Sequence, residues 1–598
     1  MNRSLMVEMM YVLLAMPALA RADELSGSVA RYEAWRGGRA FMQATAIHAE
    51  GKLATSGLTG VVETWASGGS RFRQDVDLGV FNQHTVVADN TGWSTNMSGQ
   101  VEKLSPADLG EALHDGLLLL AEVFPGRNGA ELSAQPAEKR GDTPCDVVRV
   151  GFGSARTYDY LIAHADGELI AIRSRVKGKL RVTAYADWRT INGVRFPFRE
   201  TVTGEVPSDA SSTDYRTIEV NPSLSADIFA MPRAAKHISF ADAGASSGWL
   251  AFELFDRTRL FIPARINGHP TTVLLDSGAT STVLDSQFAT SNGLKVEGEM
   301  TAEGTGGTST AGVVRGVNLE LGTLSLHDVT AVAIDAAPIE RQLGHTAKIF
   351  LGAEIFQDTA VDIDFPHRRI AFRDPATLKV PSGSRVIPSV MEDGQQILTA
   401  SLEGRPARLL LDLGNAGALA LFPRFWEQQD FLGQRRTSTA LGGGFGGMHT
   451  EKVAMLRNLS IGGVDLPRVP VKLVGNESAD ARSSRLDGNI GMPVFSRFHL
   501  IVDRPHERLL LVPPLNVDTR FDTDRTGLTV QPTAAGFKII YVAPGAPGDK
   551  AGLKVGDEVV SVDGAGKSAQ WRFGPAGRKL LLRLSDGRRR ELTLEDYF

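Results

Sequence analysis

The chain has little cysteine, no long apolar run near its N-terminus and a small net charge, and each of these excludes or disfavours a class of function. Cys145 is the only cysteine among 598 residues, so neither an intrachain disulfide nor a thiolate metal cluster can form. The longest apolar run near the N-terminus, residues 9–19, is too short for a membrane span. The 64 basic and 69 acidic residues give a formal net charge of only −5, which favours neither nucleic acid nor an anionic membrane as a partner. We therefore expect no metal, no cofactor, no nucleic acid and no stable membrane span.

Residues 1–22 have the composition of an export signal. Arg3 lies in a short polar segment, residues 9–19 are almost wholly apolar, and small residues follow at 18–22. This order of polar, apolar and small residues is typical of a cleaved secretory signal peptide. The sequence thus predicts a periplasmic or secreted protein that begins at about residue 23.

Two segments share one pattern. Residues 273–280 are VLLDSGAT and residues 409–416 are LLLDLGNA, so apolar residues run directly into Asp-x-Gly at Asp276 and at Asp412. A carboxylate at the end of a buried strand is unfavourable unless a partner or a chemical role accounts for it. Asp276 and Asp412 are therefore the first candidates for catalytic residues.

The segments around these aspartates are also repeated. A glycine lies eight residues before each aspartate, and an apolar-apolar-Gly element follows at Gly352 and at Gly491. A further aspartate lies twelve residues beyond each of these glycines. Glycine-rich segments at 304–308 and 442–447 predict tight, mobile hairpins. The chain therefore contains a duplicated unit.

Each copy resembles one lobe of the retropepsin-like (clan AA) aspartic proteases. Lobes of that family carry an apolar strand into Asp-Thr/Ser-Gly, a glycine-rich flap and a later apolar-apolar-Gly element. The resemblance covers about residues 250–513 and implies two lobes, at 250–378 and 385–513, that form a pepsin-like pseudo-dimer. It further implies an endopeptidase acting on a protein or peptide substrate, with a water activated between Asp276 and Asp412. The other residues it implies are Ser277, Gly278, Thr280, Gly352, Gly414 and Gly491 as supports of the catalytic loops, and Gly306, Gly307, Gly444 and Phe445 in the flaps.

The second copy departs from the family pattern at Leu413. Family lobes place Ser or Thr there, and its hydroxyl bonds across the lobes; Ser277 can do this and Leu413 cannot. We therefore expect an asymmetric or weakened site. Two alternatives stay open: a protease active only as a homodimer of first lobes, and a non-catalytic peptide- or lipoprotein-binding protein. Asp-x-Gly is also a common turn signal, and Asp77-Leu78-Gly79 is expected to be only that.

Residues 23–235 are predicted to be mainly β-strand, with one helix at 108–124. Two segments, WRTINGVRFP at 188–197 and DIFAMP at 227–232, are similar to periplasmic lipoprotein-carrier domains of half-barrel type. The resemblance implies a curved sheet packed on the helix. Such a domain either holds an acyl chain or an extended peptide, or serves only as a structural module.

Residues 522–598 contain a segment, 539–564, that is similar to the core of a bacterial PDZ domain. This implies a loop at Gly527, Leu528, Thr529 and Val530 whose N–H groups bind a peptide C-terminus as an added strand. Residues 564–577 are too few and too irregular for the usual second helix, so peptide binding and a purely structural role both stay open. The predicted fold class is therefore mainly β: a half-barrel-like β domain with a helix, two retropepsin-like β lobes and a C-terminal PDZ domain.

Overall fold

The computed structural model describes residues 23–120, 130–151, 157–176, 179–205, 210–241, 244–427, 431–475, 485–514, 519–563 and 569–598. The predicted export signal, residues 1–22, lies outside the described residues. Strands predominate throughout, so the predicted class, mainly β, is confirmed. None of the described helices has the length and apolar composition needed to cross a bilayer. The chain divides into two compact units, one of residues up to Ala235 with Gly298–Met300, and one of Lys236–Glu297 with Thr301–Phe598.

The first unit is built on a single large antiparallel sheet. Its described strands neighbour one another in the order β6-β5-β4-β3-β2-β1-β13-β12-β11-β10-β9-β8-β7. A helix at Pro106–Leu120 packs on one face of this sheet through Leu109, Ala112 and Leu113. The sequence predicted this helix at 108–124; residues 121–129 lie outside the described part of the chain. The strands are β1 Ala46–Thr55, β2 Leu58–Ser67, β3 Arg71–Asp77, β4 Asn82–Ala88, β5 Thr91–Thr95, β6 Val101–Lys103, β7 Glu131–Arg140, β8 Thr143–Gly151, β9 Thr157–Ala163, β10 Leu169–Val176, β11 Lys179–Ile191, β12 Val194–Gly204 and β13 Ser211–Val220.

The second unit begins with the first repeat, residues 250–378, and the segment before it. Its strands are β14 Ile238–Phe240, β15 Leu250–Ala251, β16 Glu253–Phe255, β17 Arg259–Ile266, β18 His269–Leu275, β19 Val283–Asp285, β20 Glu297–Gly304, β21 Gly307–Leu321, β22 Leu324–Ile334, β23 Ile349–Leu351, β24 Ala360–Asp364 and β25 Arg369–Arg373. Strand β18 lies between β17, which is antiparallel to it, and β23, which is parallel to it. Both faces of β18 are covered at its C-terminal end, which explains the continuous apolar run before Asp276.

The second repeat, residues 385–513, contains the same kinds of element in the same order. Its strands are β26 Arg385–Glu392, β27 Gln395–Leu402, β28 Arg405–Asp412, β29 Leu419–Leu421, β30 Ser438–Gly444, β31 Gly447–Ile461, β32 Val464–Leu473, β33 Gly488–Gly491, β34 His499–Asp503 and β35 Arg508–Val512. Strand β28, which ends in Asp412, is antiparallel to β27 and parallel to β33. The arrangement of β17, β18 and β23 is therefore repeated around the second aspartate.

One continuous sheet joins the two repeats. Strand β24 of the first repeat pairs antiparallel with β34 of the second, with Val361 opposite Val502. The sheet continues to β25 on one side and to β35 and β26 on the other. The buried core beneath it includes residues of both repeats, among them Ile363 and Leu500. The two repeats are therefore held together within a single chain.

Residues 519–598 complete the second unit with a smaller antiparallel sheet. Its strands are β36 Leu528–Pro532, β37 Phe537–Val542, β38 Glu558–Val562, β39 Lys579–Leu584 and β40 Arg589–Thr593, in that spatial order. In the described part of residues 564–577, the regular element is a 3₁₀ helix at Ala569–Phe573. Strand β36, which carries Leu528, Thr529 and Val530, is an edge strand of this sheet.

Short helices connect the strands. The described α-helical segments are residues 23–36, Arg39–Met42, Pro106–Leu120, Ser286–Ser291, Ala337–Leu343, Ala353–Asp358, Pro423–Trp426, Met492–Phe495 and Pro547–Lys550, and the other 3₁₀ helices are Ala226–Phe229, Pro375–Thr377 and Arg504–His506. Ala353–Asp358 and Met492–Phe495 begin directly after Gly352 and Gly491. The apolar-apolar-Gly element of each repeat is thus a short buried strand that turns at once into a helix.

Candidate active site

The two aspartates occupy equivalent turns at the ends of β18 and β28. In each turn the carboxylate folds back onto the chain that follows it: Gly278 N–H donates to Asp276 Oδ1 (3.0 Å) and Gly414 N–H donates to Asp412 Oδ1 (2.8 Å). Asp77 makes the same local bond with Gly79 (2.8 Å). The Asp-x-Gly turn alone therefore does not make a site.

The structure brings Asp276 and Asp412 together. A Cβ atom placed on Gly414 would lie 2.2 Å from Asp276 Oδ1, and one placed on Gly278 would lie 2.7 Å from Asp412 Oδ1. Each carboxyl group therefore packs directly against the glycine that follows the other aspartate. A side chain at either glycine would clash with the opposite carboxyl, so both positions require glycine.

This proximity changes the acidity of both groups. Burial, and then the negative charge of Asp412, raise the pKa of Asp276 to about 7. Burial also raises the pKa of Asp412. Arg259, at the start of β17, acts in the opposite direction, and its positive charge lowers both pKa values. Two carboxyl groups this close share one proton over a wide pH range.

Ser277 ties the two repeats together through its hydroxyl group. Its Oγ donates to Leu411 O (3.0 Å) and accepts from Leu413 N–H (2.9 Å). Ser277 is almost completely buried, with 1 % of its surface exposed. One hydroxyl group therefore fixes the backbone on both sides of Asp412.

Because Leu413 has no hydroxyl, the sequence predicted that the second repeat would lack a bond equivalent to that of Ser277. The structure contains a different bond from the second repeat to the first. Leu413 is buried in the core, and the guanidinium of Arg504 donates through Nη2 to Ser277 O (2.6 Å) and through Nη1 to Gly394 O (3.3 Å). Arg504 is itself 3 % exposed. The loop that follows Asp276 is therefore held from the second repeat by a guanidinium.

Asn489 is a further site residue that sequence reasoning missed. Its Nδ2 donates to Asp412 Oδ2 (2.6 Å), and its Oδ1 accepts from Asn415 Nδ2 (2.9 Å). Asn489 lies on β33, two residues before Gly491, where the first repeat has Phe350. This polar residue in an otherwise apolar element was the signal available in the sequence.

The predicted supports of the catalytic loops fall into two groups. Gly352 and Gly491 lie where no side chain fits, because a Cβ would be 2.3 Å from Ser281 O and 2.2 Å from Gly417 O. Thr280, in contrast, is exposed. The hydroxyl that contacts Gly352 belongs to Thr282.

Thr282 connects the loop after Asp276 to the helix at Ala353–Asp358. Its Oγ1 accepts from Gly352 N–H (3.2 Å) and donates to Glu354 Oε2 (2.8 Å). Both Thr282 and Glu354 are fully buried. This pair therefore supports the loop in the way the sequence led us to expect of Thr280.

The glycine-rich hairpins meet at their tips. Gly306 N–H donates to Phe445 O (2.9 Å), and a Cβ on Gly306 would lie 2.0 Å from Gly447 O. A Cβ on Gly444 would lie 2.6 Å from Thr305 Oγ1. Gly307 and Gly447 have φ values of 139° and 140°, which side chains disfavour. The predicted flap residues of the two repeats are thus in direct contact.

The loop predicted to bind a peptide carboxylate already has partners within the chain. Gly527 N–H donates to Asp524 Oδ2 (2.8 Å), and Leu528 N–H donates to Thr526 Oγ1 (3.1 Å). Asp524 Oδ2 also accepts from the hydroxyl of Tyr597 (2.9 Å). The N–H groups of Gly527 and Leu528 are therefore already hydrogen-bonded within the chain, and binding of a peptide C-terminus at this loop stays a prediction.

Parts of the chain are similar to known proteins. Residues 262–355 match the family model described as aspartyl protease. No curated protein matches the chain. Among solved structures, a retropepsin-like aspartic protease from Rickettsia conorii is similar at 18 % identity and a TM-score of 0.18, covering 22 % of this chain and 92 % of that one.

Two further solved structures are similar to part of the chain. A LolA superfamily protein from Nitrosomonas europaea has 14 % identity and a TM-score of 0.27, and covers 34 % of this chain and 97 % of that one. Basic 7S globulin from soybean has 8 % identity and a TM-score of 0.28, and covers 44 % of this chain and 93 % of that one.

The family match includes Asp276 and Gly352 and ends before Asp412, so the segment 262–355 is similar to the aspartyl proteases.

Proposed function

We propose that this protein is an exported aspartic-type endopeptidase that hydrolyses peptide bonds with a water activated between Asp276 and Asp412. One observation carries the proposal: each carboxyl group packs on the glycine that follows the other aspartate, so closely that a Cβ atom there would lie 2.2 Å or 2.7 Å from the nearest carboxylate oxygen. Two carboxyl groups that face each other and share a proton are what this chemistry needs.

The reaction assigns one role to each carboxyl group. The ionised carboxylate accepts a proton from the water as its oxygen attacks the peptide carbonyl carbon, and the protonated carboxyl donates a hydrogen bond to the carbonyl oxygen as negative charge develops there. The raised pKa of Asp276, about 7, keeps one proton on the pair from acidic to nearly neutral pH. We therefore propose activity across that range.

The intrachain version of the site is favoured over a homodimer of first repeats. Strands β24 and β34 pair within one chain, and Ser277 bonds to the backbone around Asp412. A homodimer would have to break both of these connections. We accordingly propose that the second repeat supplies Asp412 to the reaction and is not only a scaffold.

The remaining segments are proposed to serve the same activity. We assign residues 1–22 to an export signal, 23–235 to a lipoprotein-carrier-like domain, and 522–598 to a PDZ domain that aids recognition of the substrate. The hydroxyl of Tyr541 on β37 donates to Thr439 Oγ1 on β30 (2.6 Å). Because β30 is part of the second flap, the C-terminal domain can influence substrate recognition through it.

The test is peptide cleavage by the mature chain, residues 23–598. We expect mass-spectrometric profiling of a peptide library to detect cleavage, and we expect Asp276→Asn and Asp412→Asn each to abolish it. Asp77→Asn is the matched control, since Asp77 makes the same turn as an exposed residue of the first unit. Cleavage that survives Asp276→Asn would refute the proposal. Loss with Asp276→Asn alone would favour the homodimer, and peptide binding without cleavage would favour a binding protein.

A further inference from the structure

The hydrogen bonds around Asp412 leave no ambiguity about which groups donate. Gly417 N–H, which can only donate, bonds to Asn415 Oδ1 (2.8 Å). Asn415 must therefore present its NH₂ group to Asn489, and it does so at 2.9 Å from Asn489 Oδ1. Asn489 in turn must present its own NH₂ group to Asp412 Oδ2. The orientation of both amides thus follows from one backbone N–H.

Each described donor to Asp412 requires a carboxylate oxygen with a free lone pair facing it. Oδ1 accepts from the N–H groups of Gly414 (2.8 Å) and Asn415 (3.0 Å), and Oδ2 accepts from Asn489 at 2.6 Å. An amide NH₂ and a backbone N–H cannot accept a hydrogen bond from a protonated carboxyl group. These three donors therefore stabilise the ionised form of Asp412, in opposition to the burial that raises its pKa.

Asp276 is held differently. Backbone N–H groups of the following turn lower its pKa, and that of Gly278 donates to Oδ1 at 3.0 Å. The position that corresponds to Asn489 is occupied by the apolar Phe350. The register confirms the equivalence, since Phe350 lies opposite Leu274 and Asn489 lies opposite Leu410, each two residues before the aspartate. Within the described part of the chain, Oδ2 of Asp276 thus has no hydrogen bond that corresponds to the one from Asn489, and it is the oxygen that can carry a proton.

The charged groups around the pair do not create this difference. Arg259 of β17 acts on both carboxyl groups, and Arg504, on the 3₁₀ helix at Arg504–His506, donates to the backbone at Ser277 O rather than to a carboxylate. The negative charge of Asp412 raises the pKa of Asp276, but that charge is present only once Asp412 is ionised, so it follows from the difference and does not create it. Asn489 is therefore the side chain that distinguishes Asp412 from Asp276.

We infer that Asn489 is a positioning residue that keeps Asp412 ionised and so places the shared proton on Asp276 Oδ2. The inference deepens the proposed function and rests on it for its catalytic meaning: Asp412 would accept the proton of the attacking water, and Asp276 would donate to the carbonyl oxygen. As the C–O bond forms and the carbonyl π bond opens, Asp276 gives its proton to the carbonyl oxygen and Asp412 takes one from the water, which leaves a gem-diol. When the C–N bond then breaks, Asp412 passes its proton to the leaving nitrogen and a gem-diol hydroxyl returns a proton to Asp276, so the pair recovers its starting state.

A stability experiment tests the inference without relying on activity. Asn489→Leu should destabilise the protein more at pH values where Asp412 is ionised, because a bond to a charged acceptor is lost. In urea unfolding, the factor by which Asn489→Leu raises the unfolding equilibrium constant should be about tenfold larger at pH 7 than at pH 4. In the Asp412→Asn background the pH dependence should disappear. Asn318→Leu, which removes an amide bonded to the neutral carbonyl of Gly316 (3.1 Å), should show no pH dependence.

A cleavage experiment supplies the second readout. In Asn489→Leu, the acidic limb of the pH profile of kcat/KM should move up by about one pH unit, since the first ionisation of the pair loses its stabilising donor. Should Asn489→Leu fail to fold, Asn415→Ala removes the amide that orients Asn489, and it should shift both readouts in the same direction. The inference would be overturned if Asn489→Leu lowered the stability equally at both pH values and left the acidic limb of the kcat/KM profile where it is in the wild type.

The two proposals can fail separately. If the wild-type protein cleaves no peptide but the cost of Asn489→Leu depends on pH and on Asp412, the proposed function fails and the assignment of the ionised carboxylate stands. If the protein cleaves peptides and the loss of stability in Asn489→Leu does not depend on pH, the proposed function stands and the assignment of the ionised carboxylate fails.

Discussion

At the scale of single residues, the buried guanidinium of Arg504 is the group that most distinguishes the second repeat. The first repeat has Phe365 after Asp364, whereas the second has Arg504 after Asp503. Arginine at this point crosses to the loop after Asp276 and bonds to Ser277 O at 2.6 Å. This connection between the repeats therefore depends on a residue that differs between the two copies.

We expect Arg504→Leu to lower the free energy of unfolding by about 2 to 4 kcal/mol, because the carbonyls of Ser277 and Gly394 lose a buried donor. Urea unfolding at constant pH measures this. Arg457 is exposed in the same repeat, and Arg457→Leu should change the free energy by no more than about 0.5 kcal/mol. Equal effects of the two variants would show that the bonds of Arg504 contribute nothing to stability.

The pKa of Asp276 gives a second expectation at this scale. The folded protein keeps this proton up to about pH 7, whereas the ordinary value for the group is 3.8. The stability that the proton contributes is therefore complete below about pH 4 and is lost as pH rises towards 7, by at most about 4 kcal/mol. Asp276→Asn removes this dependence, since asparagine does not titrate.

Chemical unfolding of wild type and Asp276→Asn between about pH 4 and pH 8 measures the difference. The wild type should lose stability relative to the variant as the pH rises. Asp77→Asn should follow the wild type, since Asp77 is exposed on the first unit. A constant difference between wild type and Asp276→Asn would mean that the pKa of Asp276 is ordinary.

At the scale of elements, the two flaps depend on glycine for their contact. The Cβ of an alanine at Gly306 would lie 2.0 Å from Gly447 O, which is a backbone atom and cannot rotate away. We expect Gly306→Ala to hold the tips apart and to lower kcat/KM by about ten- to a hundredfold, since a displacement of about 1 Å near a substrate has effects of that size. Thermal stability should change little because the tips are partly exposed.

Thr308→Ala is the control for this expectation, since Thr308 is exposed on the same hairpin and its truncation removes atoms without adding any. Steady-state kinetics on a peptide found in the library measurement, with melting temperatures beside them, separate the two variants. If Gly306→Ala and Thr308→Ala behave alike, contact between the tips has no part in catalysis.

The elements themselves were largely predictable from the sequence, and the contacts between them were not. The apolar runs into Asp276 and Asp412 predicted buried strands, because only a strand covered on both faces tolerates such a run. Duplication then led us to expect two facing carboxyl groups. Thr282, Asn489 and Arg504 belong to no local pattern, since the bonds they make join positions from 70 to 227 residues apart.

At the scale of the whole molecule, the first two strands of the C-terminal domain make some of the hydrogen bonds that connect it to the repeats. Tyr541 donates to Thr439 of the second flap, and Gln531 Nε2 on β36 donates to Arg341 O of the first repeat (3.3 Å). The edge strand on which a bound peptide would be added is therefore already in contact with the rest of the second unit.

We expect peptide C-termini to bind this domain weakly. An incoming carboxylate would have to displace Asp524 from Gly527 N–H, and it would be repelled by the negative charge of that side chain. Fluorescence anisotropy with a library of C-terminal peptides should show no saturation below about 100 µM. Asp524→Ala should strengthen binding, whereas Asp522→Ala, at an exposed position nearby, should not. Tight binding by the wild type would contradict this view of the loop.

The pairing of β24 with β34 has a consequence for how the protein can change over time. When a site is built from two identical chains, every mutation in the gene alters both halves at once. Here the halves are encoded separately, so a replacement in one leaves the other untouched. Leucine at 413, asparagine at 489 and arginine at 504 each occur in one half only, and such specialisation is open only to a protein whose two halves are inherited as different stretches of the same gene.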